Sequence, residues 1–196
     1  MWVEPVILEG KTVRVEPLGV EHSAGLRKAY ECDPSILRYH HIAPYDASDE
    51  AWSEYMQSSM NLPGRMPFAI VLKETGQAVG TTSYLDIRPE HRGLEIGYTW
   101  IGKDYQGTQV NPENKYLLLR HAFETLGAIR VQLKTDARNT QSQRAMSKLG
   151  AKLEGTLRNH VILPDGYYRH SVMFSITDDE WPEVKAALET RLGYVP

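Results

Sequence analysis

The chain has 196 residues, of which 41% are hydrophobic and 24% charged. This composition favours a single globular domain that spans residues 1–196. Its net charge of −3 gives no electrostatic reason to expect nucleic acid or an acidic membrane as a partner. The single cysteine, Cys32, excludes an intramolecular disulfide and a thiolate zinc site. No apolar run reaches about 18 residues and no signal-peptide pattern is visible, so we expect a cytoplasmic protein.

The first half of the chain predicts a strand, two helices and three antiparallel strands. Alternating apolar residues indicate a strand at 11–18, and helical patterns follow at 21–31 and, capped by Ser48, at 48–60. Residues 68–72 and 78–86 flank a Gly-containing turn and predict a hairpin. A further strand is predicted at 93–101.

The second half predicts a helix, a strand, a helix and two strands before a terminal helix. Asn111 is the expected N-cap of the first of these helices, with Pro112 at its first position. We expect a strand at 128–135, a helix at 139–149 closed by Gly150, strands at 152–163 and 167–176, and a capped helix at 178–192. The order predicts an α+β fold, with a mixed, mostly antiparallel sheet of about seven strands and helices on both faces.

The segment 105–113 is the most informative part of the sequence. It is a short polar loop between a predicted strand and a predicted helix. Backbone N–H groups above a helix N-terminus bind phosphate oxygens well. The loop therefore predicts a phosphorylated ligand, although a plain strand-to-helix connection is the alternative.

Three motifs give this loop a context: Leu94-Glu95-Ile96-Gly97-Tyr98, the loop 106–111, and Asn139-Thr140-Gln141-Ser142 leading to residues 148–151. In this order they resemble the GNAT superfamily of acyl-CoA-dependent N-acyltransferases, in particular the branch of ribosomal-protein N-terminal acetyltransferases. The resemblance covers about residues 8–180. It implies the GNAT fold, acetyl-CoA as co-substrate, no metal, and acetyl transfer to a primary amine by direct attack in a ternary complex.

The loop departs from the family pattern at two positions. Gln109 and Asn111 stand where small residues are expected, which leaves Gly107 as its one glycine. Glycine lets the backbone approach a diphosphate or adopt positive φ. Gln109 therefore either has an ordinary φ with its side chain in solvent, or weakens coenzyme A binding.

Acetyl transfer requires a neutral amine, and at pH 7 only about one in ten protein N-termini is neutral. A general base would accept the proton lost on attack, and Glu95 on the strand before the loop is the candidate. Apolar neighbours can raise the pKa of such a carboxylate. The alternatives are an exposed glutamate or one paired with Arg92 or Lys134.

The resemblance implies Ser142 as the acid for the leaving thiolate. Alternatively, Ser142 only helps to satisfy N–H groups in the first helical turn, and a tyrosine could replace it: Tyr98, Tyr105, Tyr167 or Tyr168. Asn139 is expected both to cap its helix and to contact the pantetheine arm, which would lie beside residues 98–100. Lys115 and Arg144 could neutralise phosphates, or could be solvated helix charges. The predicted coenzyme-binding residues are Tyr98, Thr99, Trp100, Gln106, Gly107, Thr108, Gln109, Val110, Asn111, Lys115, Asn139 and Ser142.

The acceptor side is predicted from the segment 38–45, which joins the two early helices. The candidate substrate-binding residues are Tyr39, His40 and His41, with Tyr167 from the hairpin at 163–168. Surface packing is the alternative for this segment, and adjacent histidines face different ways, which argues against a metal site. Trp52 and Tyr55 have the helical spacing of core residues.

The acceptor itself stays open: a protein N-terminus, an amino acid, a polyamine or an aminoglycoside. A non-catalytic acyl-CoA sensor, or an enzyme that uses succinyl-CoA or another donor, are competing functions. The apolar residues of the terminal helix could pack on the chain's own sheet or support a homodimer.

Overall fold

The computed structural model describes residues 2–40 and 42–194 and contains one eight-stranded mixed sheet. Its strands are β1 Leu8–Glu9, β2 Val13–Pro17, β3 Met66–Leu72, β4 Ala78–Arg88, β5 Gly93–Ile101, β6 Arg130–Asp136, β7 Lys152–Ile162 and β8 Tyr168–Thr177. The spatial order is β1-β2-β3-β4-β5-β6-β8-β7. Only β5 and β6 run parallel, and every other neighbouring pair is antiparallel.

Within the described residues, five α-helices cover the two faces of this sheet. They are α1 Ser23–Glu31, α2 Asp49–Asn61, α3 Val110–Arg120, α4 Thr140–Leu149 and α5 Trp181–Leu192. In β3, Phe68 and Ile70 face the core beneath α3, α4 and α5, whereas Ala69 and Val71 face the core beneath α1 and α2. Since successive strand residues point to opposite faces, helices lie on both sides of the sheet, as predicted. None of the described helices is long and apolar enough to cross a bilayer.

Most predicted elements are present, with one additional strand and a later start of the terminal helix. The eighth strand, β1, has two residues, too few for a periodic signal. The terminal helix begins at Trp181 rather than 178 because the Glu180 carboxylate accepts a hydrogen bond from the N–H of Thr177 at 2.9 Å and Glu180 itself is the N-cap. Trp181, Val184 and Leu188 of α5 are buried in the chain's own core, and the partly buried Leu192 packs against it.

The prediction that Asn111 caps α3 is wrong, because the helix begins at Val110. The carbonyl of Gln109 accepts the first helical bond, from the N–H of Glu113 at 2.9 Å. The hydroxyl of Thr108 accepts from the N–H of Val110 at 3.3 Å. These two bonds start the helix before Asn111, and Pro112 lies inside its first turn.

Glu113 fixes the N-terminal half of α3 to the turn between β1 and β2. Its buried carboxylate accepts hydrogen bonds from the N–H groups of Lys11, Thr12 and Val13, and from the Tyr194 hydroxyl, all at 2.7 Å. Burial and this bond raise the pKa of Tyr194 to about 12. Glu113 therefore supports the helix that carries the predicted phosphate loop.

We expect Glu113→Ala to lower the free energy of unfolding by about 3 kcal/mol, because it removes the acceptor of the Thr12 and Val13 N–H groups and of the Tyr194 hydroxyl. Urea denaturation of the variant and of Glu183→Ala, a surface control on α5, measures this loss. Equal stability of the two variants would contradict the assignment.

Candidate active site

The two parallel strands β5 and β6 are paired over only three residues. The pairing joins Gly93, Leu94 and Glu95 to Arg130, Val131 and Gln132. Beyond that point both strands continue, β5 to Ile101 and β6 to Asp136, without hydrogen bonds to each other. The sheet therefore has an opening between two of its central strands, immediately after Glu95.

A β-bulge at Tyr98 lies beside this opening. Tyr98 has a φ of +50°, and the register against β4 shifts between the pairs Ser83–Gly97 and Thr81–Trp100. As a result Ile96 and Ile101 face the same core, while Trp100 faces the other. A bulge leaves backbone groups outside the ladder, here at the edge of the opening.

The loop after β5 presents unused backbone donors. In the described part of the chain, the N–H groups of Gly107, Thr108, Gln109 and Asn111 have no hydrogen-bond acceptor. Gly107 has a φ of +75° with open space around it, which suits glycine. Four free N–H groups at a helix N-terminus form a surface complementary to phosphate oxygens.

Gln109 has a φ of −74°, and its exposed side chain donates to the carbonyl of Arg191 at 3.2 Å. The ordinary φ shows why glycine is not required at this position. Asn111 is not in the left-handed region, and its buried Oδ1 has no partner among the described residues. Neither Gln109 nor Asn111 therefore needs the positive φ for which glycine is suited.

The N-terminus of α4 lies next to this loop. The Gln141 amide donates to the Gln106 side-chain oxygen at 3.2 Å, and Gln106 in turn donates to the carbonyl of Ile101 at 3.0 Å. Asn139 is the N-cap of α4, as predicted, since its Oδ1 accepts from the N–H of Ser142 at 3.0 Å. The structure thus brings the predicted loop and the Asn139–Ser142 motif together at one end of the opening.

Glu95 is buried, with 1% of its surface exposed. Its Oε2 lies 3.0 Å from Lys134 Nζ and accepts a hydrogen bond from the Gln132 amide at 3.1 Å. The sequence left two alternatives to a general base for Glu95: an ion pair or an exposed glutamate. The ion pair with Lys134 is present, and the side chain is not exposed. Both of these contacts involve Oε2, which leaves Oε1 over Gly97.

Gly97 makes room for that carboxylate. A Cβ at this position would lie 2.8 Å from Glu95 Oε1 and 3.2 Å from Leu85 Cδ2. As a test of the predicted role of Glu95 as general base, we expect Gly97→Ala to displace the carboxylate and lower kcat about tenfold or more, since proton transfer depends on placement. Coenzyme A affinity should stay unchanged. Steady-state rates and isothermal titration separate the two quantities, and unchanged kcat would contradict this placement of Glu95.

The predicted acceptor residues gather on the α1–α2 face of the sheet. The His40 and Tyr98 rings lie 6.1 Å apart, edge to face. The Arg138 guanidinium lies 3.6 Å from the Tyr167 ring and 5.5 Å from the Tyr39 ring. His41 lies outside the described residues.

An open groove of about 560 Å³ adjoins this region, lined by residues 42–45, by the C-terminal end of α2 and by Pro164. Residues 42–45 of the predicted acceptor segment and Pro164 of the predicted hairpin therefore line one groove. Trp52 and Tyr55 are core residues, as predicted, at 5% and 6% exposure. The described residues hold no cluster of three or more His, Cys, Asp or Glu side chains placed to bind a metal ion.

Comparison with known proteins agrees with this geometry. Residues 13–152 match the family described as the acetyltransferase (GNAT) domain. The chain belongs to the GNAT acetyltransferase family. It is 30% identical over 133 residues to the uncharacterized N-acetyltransferase p20 of Bacillus licheniformis, covering 67% of this chain and 74% of p20. It is 28% identical to the putative ribosomal N-acetyltransferase YdaF of Bacillus subtilis, covering 54% and 57% of the two chains.

Solved GNAT structures share the fold. A putative acetyltransferase from T. thermophilus has 44% sequence identity and a TM-score of 0.91, and the match covers 98% of this chain and 100% of that one. Mycobacterium smegmatis RimJ in complex with CoA-disulfide has a TM-score of 0.76 at 20% identity, with 97% and 93% covered. The predicted resemblance to the GNAT superfamily and to its ribosomal-protein branch is confirmed, as is the GNAT fold.

Three residues of the predicted coenzyme site, Thr99, Trp100 and Lys115, have side chains that are bonded within the chain, while the contacts predicted for Thr99 and Trp100 are through the backbone. Lys115 is 8% exposed, and its Nζ donates to the Thr99 hydroxyl at 2.7 Å rather than reaching the loop. Thr99 in turn contacts the Thr82 hydroxyl at 2.8 Å. The Trp100 indole donates to the Tyr55 hydroxyl at 2.8 Å. The placement of Lys115 does not support its predicted contact with phosphate.

Burial lowers the pKa of Lys115 from 10.5 to about 7. Between about pH 7 and 10 the unfolded chain binds this proton and the folded chain does not, so stability contributed by this site rises with pH. We expect Lys115→Met to stabilise the protein at pH 7 and below, and to flatten that rise. Urea denaturation at several pH values measures both effects, and an unchanged pH profile would contradict them.

Two arginines that the sequence did not predict, Arg65 and Arg169, lie at this GNAT site. Arg65 precedes β3, and its guanidinium lies 4.4 Å from the Tyr98 ring. Arg169 lies on β8, is 8% exposed, and donates to the carbonyl of Tyr39 at 3.4 Å. Arg169 lies on the opposite face of β8 from the buried apolar residues Val172, Phe174 and Ile176, so the alternation of this strand predicts an exposed side chain. Arg65 lies in a loop, and the sequence carries no signal for either arginine.

Proposed function

We propose that this protein is an acetyl-CoA-dependent N-acetyltransferase that acts on a primary amine by direct attack in a ternary complex. We also propose that the protein is cytoplasmic and that residues 1–196 form one domain. The observation that carries the proposal is the opening between β5 and β6, with free N–H groups at one end and a buried carboxylate at the other. Membership of the GNAT family supports the chemistry.

The residues fit coenzyme A at the loop. The N–H groups of Gly107, Thr108, Gln109 and Asn111 would hold its diphosphate, since each lacks an acceptor within the described chain and a helix N-terminus favours anions. The bulge backbone at residues 98–100 would hold the pantetheine arm by strand-like bonds. When bound, the co-substrate supplies a thioester carbonyl and a thiolate leaving group.

Glu95 would accept the proton that the amine loses, directly or through water. Lys134 and Gln132 hold its Oε2, which fixes the carboxylate and leaves Oε1 for this task. Backbone amides at the bulge would polarise the carbonyl. Ser142, in the first turn of α4, would protonate the departing thiolate.

Calorimetric titration with coenzyme A and acetyl-CoA, followed by mass spectrometry of an amine panel, tests this function. We expect micromolar or tighter binding and an acetylated product with at least one amine. Acetyl-CoA binding with no product from any amine would support a non-catalytic sensor. Faster turnover with succinyl-CoA than with acetyl-CoA would identify succinyl-CoA as the donor. Absence of acetyl-CoA binding would reject the proposal.

A further inference from the structure

Two arginines near Tyr98 each have a buried guanidinium nitrogen and no carboxylate partner in the described chain. Arg65 donates through Nε to the Ser83 hydroxyl at 2.6 Å, but its buried Nη1 has no partner there. The buried Nε of Arg169 is also without a partner among the described residues. Buried donors left unpaired cost free energy, so both positions point to a ligand acceptor.

Two neighbouring positive charges, in contrast, are paired with carboxylates. Lys134 pairs with Glu95 at 3.0 Å, and Arg138 pairs with Asp136 at 2.8 Å. Arg138 also donates to the other Asp136 oxygen, at 3.0 Å, so both oxygens of that carboxylate are occupied. Arg65 and Arg169 therefore carry two positive charges outside the ion pairs of the described residues, in a chain whose net charge is −3.

Both arginines lie around the Tyr98 bulge. The Arg65 guanidinium lies 4.4 Å from the Tyr98 ring. Arg169 donates to the carbonyl of Tyr39, and the next residue, His40, has its ring 6.1 Å from that of Tyr98. In agreement, both positive charges oppose the rise that burial causes in the pKa of Tyr98, and the charge of Glu95 acts on Arg169.

We propose that the acceptor is a primary amine that carries a carboxylate a few bonds from its nitrogen, bound by Arg169 and Arg65. Guanidinium matches carboxylate geometry and binds it by charge-assisted hydrogen bonds. A polycationic amine would meet repulsion from the same two charges. The carboxylate could belong to a free amino acid or to an acidic residue next to a peptide N-terminus. This inference rests on the proposed function, whose amine site it defines.

The test compares matched acids and amides as acceptors with acetyl-CoA. One arm uses free L-amino acids against their α-carboxamides; the other uses Ser-Asp against Ser-Asn tetrapeptide amides; spermidine represents polycations. We expect the acid of at least one arm to have a kcat/KM about tenfold to a hundredfold higher, which is the effect of one charge-assisted hydrogen bond or more. The arm that shows the preference identifies the source of the carboxylate.

Variants separate recognition from folding. Arg169→Gln and Arg65→Gln should each reduce the acid-to-amide ratio towards one, because kcat/KM for the acid falls more than kcat/KM for the amide. Arg158→Gln, on the exposed strand β7, is the matched control and should keep the wild-type ratio. Equal use of acids and amides in both arms, preference for spermidine, or a ratio that survives in both variants would overturn the inference.

If the proposed function itself is wrong, the results differ from those expected when only the acceptor inference is wrong. If acetyl-CoA does not bind and no amine is acetylated, the function is rejected, and calorimetry of the protein with the same acids and amides still decides the inference. Binding of an acid but not its amide, lost in Arg169→Gln, would support the anion site, and equal or absent binding would overturn it.

Discussion

Replacing Glu95 with glutamine should lower kcat by about a hundredfold or more at pH 7, which is the usual contribution of a general base. The substitution keeps the shape of a side chain that is 1% exposed and removes its ability to accept a proton. The affinity for acetyl-CoA should not change, since the coenzyme loop lies at the other end of the opening. Steady-state kinetics and calorimetry measure the two effects.

The pH profile distinguishes a base from a structural role. At high pH the amine loses its proton to solvent, so the deficit of Glu95→Gln should shrink as pH rises towards the amine pKa. Glu90→Gln, an exposed glutamate in the turn before β5, is the control and should match the wild type. A Glu95→Gln enzyme with wild-type kcat, or with a deficit independent of pH, would remove Glu95 from the mechanism.

Replacing Gln109 with proline should weaken acetyl-CoA binding about tenfold to a hundredfold. Proline fixes φ near −65°, close to the −74° of Gln109, and removes an N–H group that has no acceptor within the described residues. If that N–H donates to the diphosphate, the loss is one charge-assisted hydrogen bond. If the loop is only a connection, the substitution should be neutral or slightly stabilising.

Gln109→Ala is the matched control, because it removes the side chain and its contact with Arg191 but keeps the backbone N–H. We expect it to bind acetyl-CoA like the wild type. Calorimetry gives the two dissociation constants, and thermal unfolding shows whether each variant retains its fold. Equal binding by the proline and alanine variants would argue against a backbone phosphate site.

The sequence predicted the strands and helices around the site well because their signals are local. The alternation along 93–101 and the Asn139 cap needed no tertiary information, and both are present in the structure. The start of α3 was predicted incorrectly because Asn111 is a strong capping residue in isolation. The Thr108 hydroxyl and the Gln109 carbonyl begin the helix earlier.

Side-chain partners across the sheet were harder to predict. Lys115 had a surface-like helical position in the sequence, but α3 is buried on most of its circumference, so its amine meets Thr99. The bulge at Tyr98 depends on register against β4, which a single strand does not encode. Arg65 and Arg169 come from distant parts of the chain, and only the folded sheet brings them near Tyr98.

A crystal structure of the protein with bound coenzyme A tests the central proposal most directly. We expect the diphosphate within hydrogen-bond distance of the N–H groups at residues 107–111, and the sulfur-bearing arm between β5 and β6 beside Tyr98, close to Glu95. Coenzyme A bound elsewhere on the protein, with those N–H groups making no contact to it, would contradict the account.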